Sequence, residues 1–350
     1  MHRCLELAIL GRGYVAPNPM VGAVLVCDDK IIGEGYHRQY GKAHAEVNCI
    51  QSVSIEHLHL IERSTMYVSL EPCAHFGKTP PCADLIIKKK IPSVVIGCRD
   101  PFEYVNGKGI EKLRSAGVNV EVGVLEQECI ELNKRFFLFH TQHRPCIILK
   151  WAQTSNEKIS NADRSRVLIS NEYSNRLVHK WRSEEMAIMV GTNTAMMDDP
   201  QLSTRLWPGN HPIRIVIDME LRLPKTLKLF DSSIPTLVFN LHQHSLPEKA
   251  GVMEIKSVGM SYYQVTNDVS LVHQVSNALY QLGIQSVLVE GGSYLLQSFI
   301  DEDLWDEARV ITSEELIINE GLPAPLLKNH KLKAQEQILS DRIKTYTHIR

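Results

Sequence analysis

A chain of 350 residues is too long for one ordinary domain and favours two. Its hydrophobic fraction, 44 %, is that of a globular protein with ample core. A net charge of −2, with Lys88-Lys89-Lys90 as the longest basic run, argues against a broad nucleic-acid-binding face.

All eight cysteines (Cys4, Cys27, Cys49, Cys73, Cys82, Cys98, Cys129, Cys146) fall in the first 146 residues. A disulfide framework would not leave the larger part empty, so reduced thiols in a metal-binding first domain are expected. No signal-peptide pattern and no bilayer-length apolar run is present, so a cytoplasmic location away from membranes is expected.

In chain order, Arg3 to Gly11 reads as a helix, stopped by glycines and the Pro17-Asn18-Pro19 turn. Val21 to Cys27 and Ile31 to Gly35 read as a hairpin around Asp28-Asp29-Lys30. A helix over 44–53 follows, then strands over 65–70 and 93–98 and helices over 81–90 and 109–116. The alternation predicts a three-layer α/β sandwich. A helix over 126–142 ends at His143-Arg144-Pro145, which places the domain boundary there, giving 1–143 and 144–350. The second part restarts with a strand over 146–150 and a helix over 171–184 with Ser170 as N-cap. Strands follow over 187–190, 213–217, 236–240 and 286–290, with a helix near 269–282.

The first chemical constellation is His44-Ala45-Glu46, then Glu71-Pro72-Cys73, then Cys82. One imidazole and two thiols make a three-ligand zinc site whose fourth position stays open for an activated water. Glu46 is near enough to move protons without being a ligand. This is the pattern of zinc-dependent base deaminases. Eight residues separate the two cysteines, which rules out a pair on one helical turn. Cys73 is expected where strand 65–69 ends, and Cys82 on the first turn of the next helix. His75 and Lys78 in the intervening loop suggest an anionic or highly polar substrate. A purely structural zinc site would need a fourth ligand, for which Cys49 and His75 are the candidates.

The second constellation is Val287-Leu288-Val289-Glu290-Gly291-Gly292-Ser293, a strand and a double-glycine turn before a helix. Such a turn offers free backbone N–H groups to a phosphate, or serves as a tight packing turn. It is not the dinucleotide fingerprint of a Rossmann fold. The stretch from Gly191 to Pro200 reads as a polar loop at a strand's C-terminal end, where α/β folds bind ligands. Arg205 lies just beyond it. Lys150 and Arg182 can pair with phosphate or be solvated.

Over nearly its whole length the chain resembles the bifunctional deaminase/reductase family of riboflavin biosynthesis. The matching segments include Pro17-Asn18-Pro19-Met20-Val21-Gly22, Gly33-Glu34-Gly35-Tyr36-His37, His44-Ala45-Glu46-Val47 and the run from Glu71 to Cys82, whose long inter-cysteine gap is this family's form. Later matches are Lys150-Trp151-Ala152, Gly191-Thr192-Asn193-Thr194, Asp198-Asp199-Pro200, Pro212 to Asp218 and Val289-Glu290-Gly291-Gly292. The resemblance implies an α/β fold class: a cytidine-deaminase-like three-layer α/β/α domain and then a dihydrofolate-reductase-like α/β domain. It implies hydrolytic deamination of 2,5-diamino-6-ribosylamino-4(3H)-pyrimidinone 5′-phosphate, then reduction of the ribosyl group to ribityl with NADPH.

By match, His44, Cys73 and Cys82 would bind one Zn2+ per chain and Glu46 would shuttle the proton. Asn18, His37, His75 and Lys78 would hold the deaminase substrate. Gln153, Val167, Thr194, Asp198, Gly291, Gly292 and Ser293 would meet NADPH. Lys150, Ser165, Arg182, Leu202, Arg205 and Glu290 would meet the reductase substrate. The partner is then a small phosphorylated pyrimidine rather than nucleic acid, and a homo-oligomer (dimer or tetramer) is expected.

The chain departs from the family at Asn156, where Asp is usual, at Glu157, where Gly is usual, and at Val167, where an aromatic is frequent. Phe102 stands where Asn is common. Glutamate at 157 is expected to forbid a positive φ and to add charge near an anionic cofactor. Two rival readings follow: a deaminase with a degenerate second domain, and a zinc deaminase acting on a base in nucleic acid.

Overall fold

The computed structural model describes every residue except 77–79, 164–166, 248 and 258. Lys78 and Ser165, both expected at sites, therefore lie outside the described residues. The chain forms two compact units, Met1–Gln142 and His143–Arg350.

The first unit runs α1 (His2–Ala8), β1 (Gly22–Cys27), β2 (Lys30–Tyr36), α2 (Ala45–Gln51), β3 (Thr65–Leu70), α3 (Cys82–Lys88), β4 (Ser93–Cys98), α4 (Lys108–Ser115), β5 (Asn119–Val122), α5 (Glu126–Leu132) and α6 (Lys134–Gln142). Its sheet has the order β2-β1-β3-β4-β5, with β1 antiparallel to both neighbours and β3, β4 and β5 parallel. Alternate residues of one strand serve opposite faces. Ala23 and Leu25 pack with Cys49 of α2, Ile86 of α3 and Leu113 of α4. Val24 between them packs with Cys4 and Leu7 of α1. Near the sheet's other end, Leu70 and Cys98 meet Cys129 of α5. Helices thus cover both faces, in the expected three layers.

The single helix expected over 126–142 is two. Asn133 interrupts it, because its buried side chain pairs with the main chain of Met20: Oδ1 accepts from Met20 N at 2.8 Å and Nδ2 donates to Met20 O at 2.9 Å.

The second unit contains β6 (Cys146–Gln153), β7 (Lys158–Asn161), α7 (Glu172–Glu184), β8 (Ala187–Gly191), α8 (Thr192–Asp198), β9 (Ile213–Ile217), β10 (Thr236–Asn240), α9 (Val252–Ser257), β11 (Met260–Gln264), α10 (Leu271–Gln281), β12 (Ser286–Val289), α11 (Ser293–Asp301), β13 (Glu307–Ser313), β14 (Gly321–Pro323), β15 (His330–Ile338) and β16 (Asp341–His348). The main sheet has the order β11-β10-β9-β8-β12-β6-β13-β16-β15. It is parallel from β11 to β13 and antiparallel at β16 and β15. Ile147, Leu149, Met189 and Ile215 pack with α10 and α11 on one face. Ile188, Val190 and Val216 meet Ala195 of α8 on the other.

Three expectations change here. The N-cap of α7 is Asn171, not Ser170: its side chain accepts from the backbone N–H of Tyr173 and Ser174, each at 3.0 Å. The stretch after Gly191 is helix α8 rather than a polar loop. The Thr192 hydroxyl there donates to Ile217 O of β9 at 2.5 Å, and Ala195-Met196-Met197 are strong helix formers. Glu157 does adopt a positive φ, +59°. It closes a three-residue turn between β6 and β7 in which Glu157 N donates to Thr154 O at 3.0 Å and Thr154 N to Lys158 O at 2.9 Å. Asn156 is tied to the segment after β13, donating to Ile318 O at 2.8 Å. The departures at 156 and 157 therefore leave the turn standing.

Candidate active sites

In the first unit the strand end and two helix starts converge. His44 is the N-cap of α2, with extended backbone (φ −72°, ψ 169°), and Glu46 follows in its first turn. Cys73 lies three residues past β3, and Cys82 opens α3. His44 Nδ1 is 3.6 Å from Cys73 Sγ and 3.3 Å from Cys82 Sγ. The three donor atoms lie within 4.8 Å of one another, and no fourth protein ligand joins them among the described residues. Cys49, one candidate for that place, is instead on the buried face of α2, packed in the core. The Cys82 thiol, the His44 ring and the Cys82 N–H all favour a thiolate at Cys73, holding it well below the ordinary thiol range. One imidazole nitrogen and two sulfurs, one already disposed to be anionic, fit a zinc ion.

Glu46 is buried, and burial raises its carboxyl above the ordinary value. His37 is also buried, and burial lowers its pKa, so it is neutral. Its Nδ1 is 3.0 Å from the Ala43 carbonyl, which can only accept; Nδ1 therefore carries the proton, and Nε2 accepts from Asn18 Nδ2 at 3.1 Å. With both nitrogens engaged, His37 orients the Asn18 amide and leaves its oxygen available. His75 belongs to an aromatic group with Phe102 and Tyr104, ring centroids 6.2 and 6.5 Å away, and its buried Nδ1 has no hydrogen-bond partner among the described residues.

Glu71 carries a role that sequence reasoning missed, although it stands in the quoted Glu-Pro-Cys segment. Its buried carboxylate accepts from four backbone N–H groups: Asp100 at 3.3 Å and Gly107 at 2.9 Å on Oε2, Gly109 at 2.9 Å and Ile110 at 3.2 Å on Oε1. This ties the start of α4 to the strand end that presents Cys73. A Cβ on Gly109 would sit 2.0 Å from Pro72 O. Gly109→Ala is therefore expected to destabilise the first unit by about 1–3 kcal/mol, as overpacking does, and to weaken zinc retention. Unchanged melting and metal content would contradict that.

In the second unit the neighbouring strands β6, β12 and β8 bring the other set together. Arg182 of α7 grips Glu290 with two bonds, Nε to Oε1 and Nη2 to Oε2, both 2.8 Å, and its Nη1 donates to Ser203 O at 3.2 Å. Lys150 Nζ lies 3.8 Å from Glu290 Oε2. Burial would raise the Glu290 carboxyl, but Arg182 and Lys150 outweigh it and hold it at about 2. Burial lowers the Lys150 ammonium below the ordinary lysine value.

Gly291, at φ +116°, turns the chain from β12 into α11. Thr194 Oγ1 lies against this turn, 3.2 Å from where a Cβ on Gly292 would stand, and Gly191 N donates to Gly291 O at 2.9 Å. The N-termini of α8 and α11 thus sit side by side at adjacent strand ends, a setting that suits anionic groups. Asp198 closes α8. Ser293 donates to Pro323 O at 3.2 Å, and Gln153 accepts from Trp151 Nε1 at 2.7 Å. Val167 is half-buried. The Leu202 side chain packs in the core beside Val190 and Val216, so its main chain is what it can offer a ligand.

Residues 1–98 match the cytidine and deoxycytidylate deaminase zinc-binding region, and residues 145–314 match the RibD C-terminal domain. Together with the two sites, these matches define a two-part deaminase/reductase. The chain is 40 % identical to riboflavin biosynthesis protein RibD of Aquifex aeolicus, covering 92 % of this chain and 88 % of that one, and 37 % identical to its namesake from Bacillus amyloliquefaciens, covering 88 % and 81 %. The crystal structure of the diaminohydroxyphosphoribosylaminopyrimidine deaminase/5-amino-6-(5-phosphoribosylamino)uracil reductase of Thermotoga maritima superposes with a TM-score of 0.87 at 35 % identity, covering 99 % of this chain and 97 % of that one. The chain belongs to the RibD family of bifunctional riboflavin-biosynthesis enzymes.

Proposed function

We propose that the first unit deaminates 2,5-diamino-6-ribosylamino-4(3H)-pyrimidinone 5′-phosphate and that the second reduces the ribosyl group of the product with NADPH. The observation that carries the reading is the convergence of His44, Cys73 and Cys82 beside a buried carboxylate that is not one of them. Bound zinc supplies a water acidic enough to act as nucleophile near neutral pH. Glu46 takes a proton from the water and gives it to the ring nitrogen, then takes the proton of the added hydroxyl and gives it to the departing amine. Asn18, fixed by His37, hydrogen-bonds the pyrimidine through its amide oxygen, and Phe102 with His75 gives an aromatic wall to stack on.

In the second unit NADPH supplies the hydride. The glycine turn and Thr194 hold its phosphates; Arg182, Glu290 and Lys150 line the substrate side, and Lys150 Nζ holds a proton there. A degenerate second domain is disfavoured by the intact turn at Glu157 and by the match over 145–314. We take the active assembly to be a homo-oligomer, closed symmetry being the rule for such enzymes. No helix among the described residues is long and apolar enough to cross a membrane.

Ammonia release from the diaminopyrimidinone ribosyl phosphate by zinc-loaded protein is the direct test of the first step. Release that stops on chelation and returns with zinc is the expected result; release indifferent to metal would sink the assignment. Initial rates with NADPH and NADH decide the cofactor: faster turnover with NADPH is expected, and a preference for NADH would overturn that choice.

A further inference from the structure

The segment between α8 and β9 carries Leu202 and Arg205, and α7 holds it from one side. Arg182 Nη1 donates to Ser203 O at 3.2 Å, the Lys180 ammonium stands 5.6 Å from the centroid of the Trp207 ring, and a Cβ on Gly209 would sit 2.7 Å from Ser183 Cβ. Within the segment, Trp207 N donates to Thr204 O at 3.0 Å. That bond closes a β-turn with Arg205 and Leu206 at its two central positions. The charges of Arg205, Arg182 and Glu290 all act on the buried ring of His179, so the turn presents Arg205 beside the Arg182–Glu290 pair. Thr204, which opens the turn, is 2 % exposed. Its backbone N–H and its hydroxyl converge on a single atom, His211 Nδ1, at 3.2 and 2.8 Å. A backbone N–H can only donate, so Nδ1 carries no proton; the hydroxyl therefore donates as well, and the ring proton sits on Nε2. His211 is exposed and stands two residues before β9. An exposed side chain adds little packing, so what the imidazole supplies here is the acceptor.

We infer that His211 is a positioning residue of the reductase: by accepting from Thr204 it fixes the 204–207 turn, and with it the place of Arg205 against the phosphorylated substrate. The inference rests on the reductase reading given above and takes Arg205 as a cation that pairs with that substrate. A guanidinium binds an anion well only when its planar fork is held in register. Without the acceptor, the buried N–H and hydroxyl of Thr204 lose their partner, and leaving such groups unpaired is costly. The turn then shifts to find others and carries Arg205 with it.

The test is steady-state reduction of 5-amino-6-(5-phosphoribosylamino)uracil by the full zinc-loaded chain. His211→Ala is expected to raise the KM for this substrate about five- to tenfold, the net worth of one neutral hydrogen bond. The kcat, the KM for NADPH and ammonia release by the first unit should stay unchanged. His211→Asn puts an oxygen where Nδ1 stands and should restore the KM to within about twofold. Arg205→Ala should raise the KM at least as much as His211→Ala, and adding His211→Ala to it should change the KM by less than about twofold, because one residue acts through the other. An unchanged KM in His211→Ala overturns the inference, as does an Asn variant no better than the Ala variant. Effects that multiply in the double variant also overturn it. So does a joint loss of kcat and NADPH affinity, which marks a general packing role. Should His211→Ala fail to fold, His211→Leu against His211→Asn decides, and equal KM values overturn it. A wild type that never oxidises NADPH with this substrate sinks the reductase reading and the inference with it; wild-type turnover with an unaffected Ala variant sinks the inference alone.

Discussion

Replacing Glu46 with Gln is expected to lower deamination by about 10²–10⁴-fold, the range of a positioned general acid–base group, while zinc stays stoichiometric. The carboxyl is buried in the first turn of α2, two residues beyond His44, and outside the set of three metal donors. Glutamine keeps its size and removes the titratable carboxyl. Turnover and metal content are read on the same sample. Loss of zinc would make Glu46 part of the metal site, and retained turnover would place proton transfer on another group. Reduction by the second unit should be untouched.

Glu290→Ala is expected to destabilise the second unit by about 3–5 kcal/mol, the cost of breaking a buried ion pair from one side. Arg182 then loses both of its 2.8 Å bonds to that carboxylate, and Lys150 loses its counter-ion. NADPH-dependent reduction should disappear while ammonia release persists at temperatures where the first unit is folded. Two melting transitions, one for each unit, are expected, and only the second should move. The same carboxylate sets a pH dependence. Its folded pKa, about 2, lies below the ordinary value of 4.5, so its contribution to stability is complete above 4.5 and is lost as pH falls toward 2. A variant that melts like the wild type at pH 7 would mean that the pair adds nothing to the fold.

The cluster of His44, Cys73 and Cys82, with Glu46 buried in the same helix start, was legible in the sequence because metal chemistry demands particular residue types, and the long gap between the cysteines is a feature of the family. The layers of the first unit were legible because its buried strands are apolar runs and its helices carry stop signals. Other features were hidden for physical reasons. The strand β15 escaped notice because residues 330–337 are exposed and mostly polar, with Leu332 their one large apolar residue. The break at Asn133 depends on a bond to Met20, a partner far away in sequence. Glu157 shows the limit of reasoning from residue type: a side chain disfavoured at positive φ occupies it because the turn bonds from Thr154 to Lys158 fix the backbone. Glu71 owes its importance to what surrounds it, four backbone N–H groups brought together from Asp100 to Ile110.

The central claim is that one chain carries out both steps. Its most direct test is a pair of incubations of the purified zinc-loaded protein with 2,5-diamino-6-ribosylamino-4(3H)-pyrimidinone 5′-phosphate, one with NADPH and one without, followed by mass. Deaminated ribosyl product without NADPH and deaminated ribityl product with it is the predicted result. The same deaminated ribosyl compound in both tubes would contradict the claim and leave a working deaminase joined to an inactive second unit.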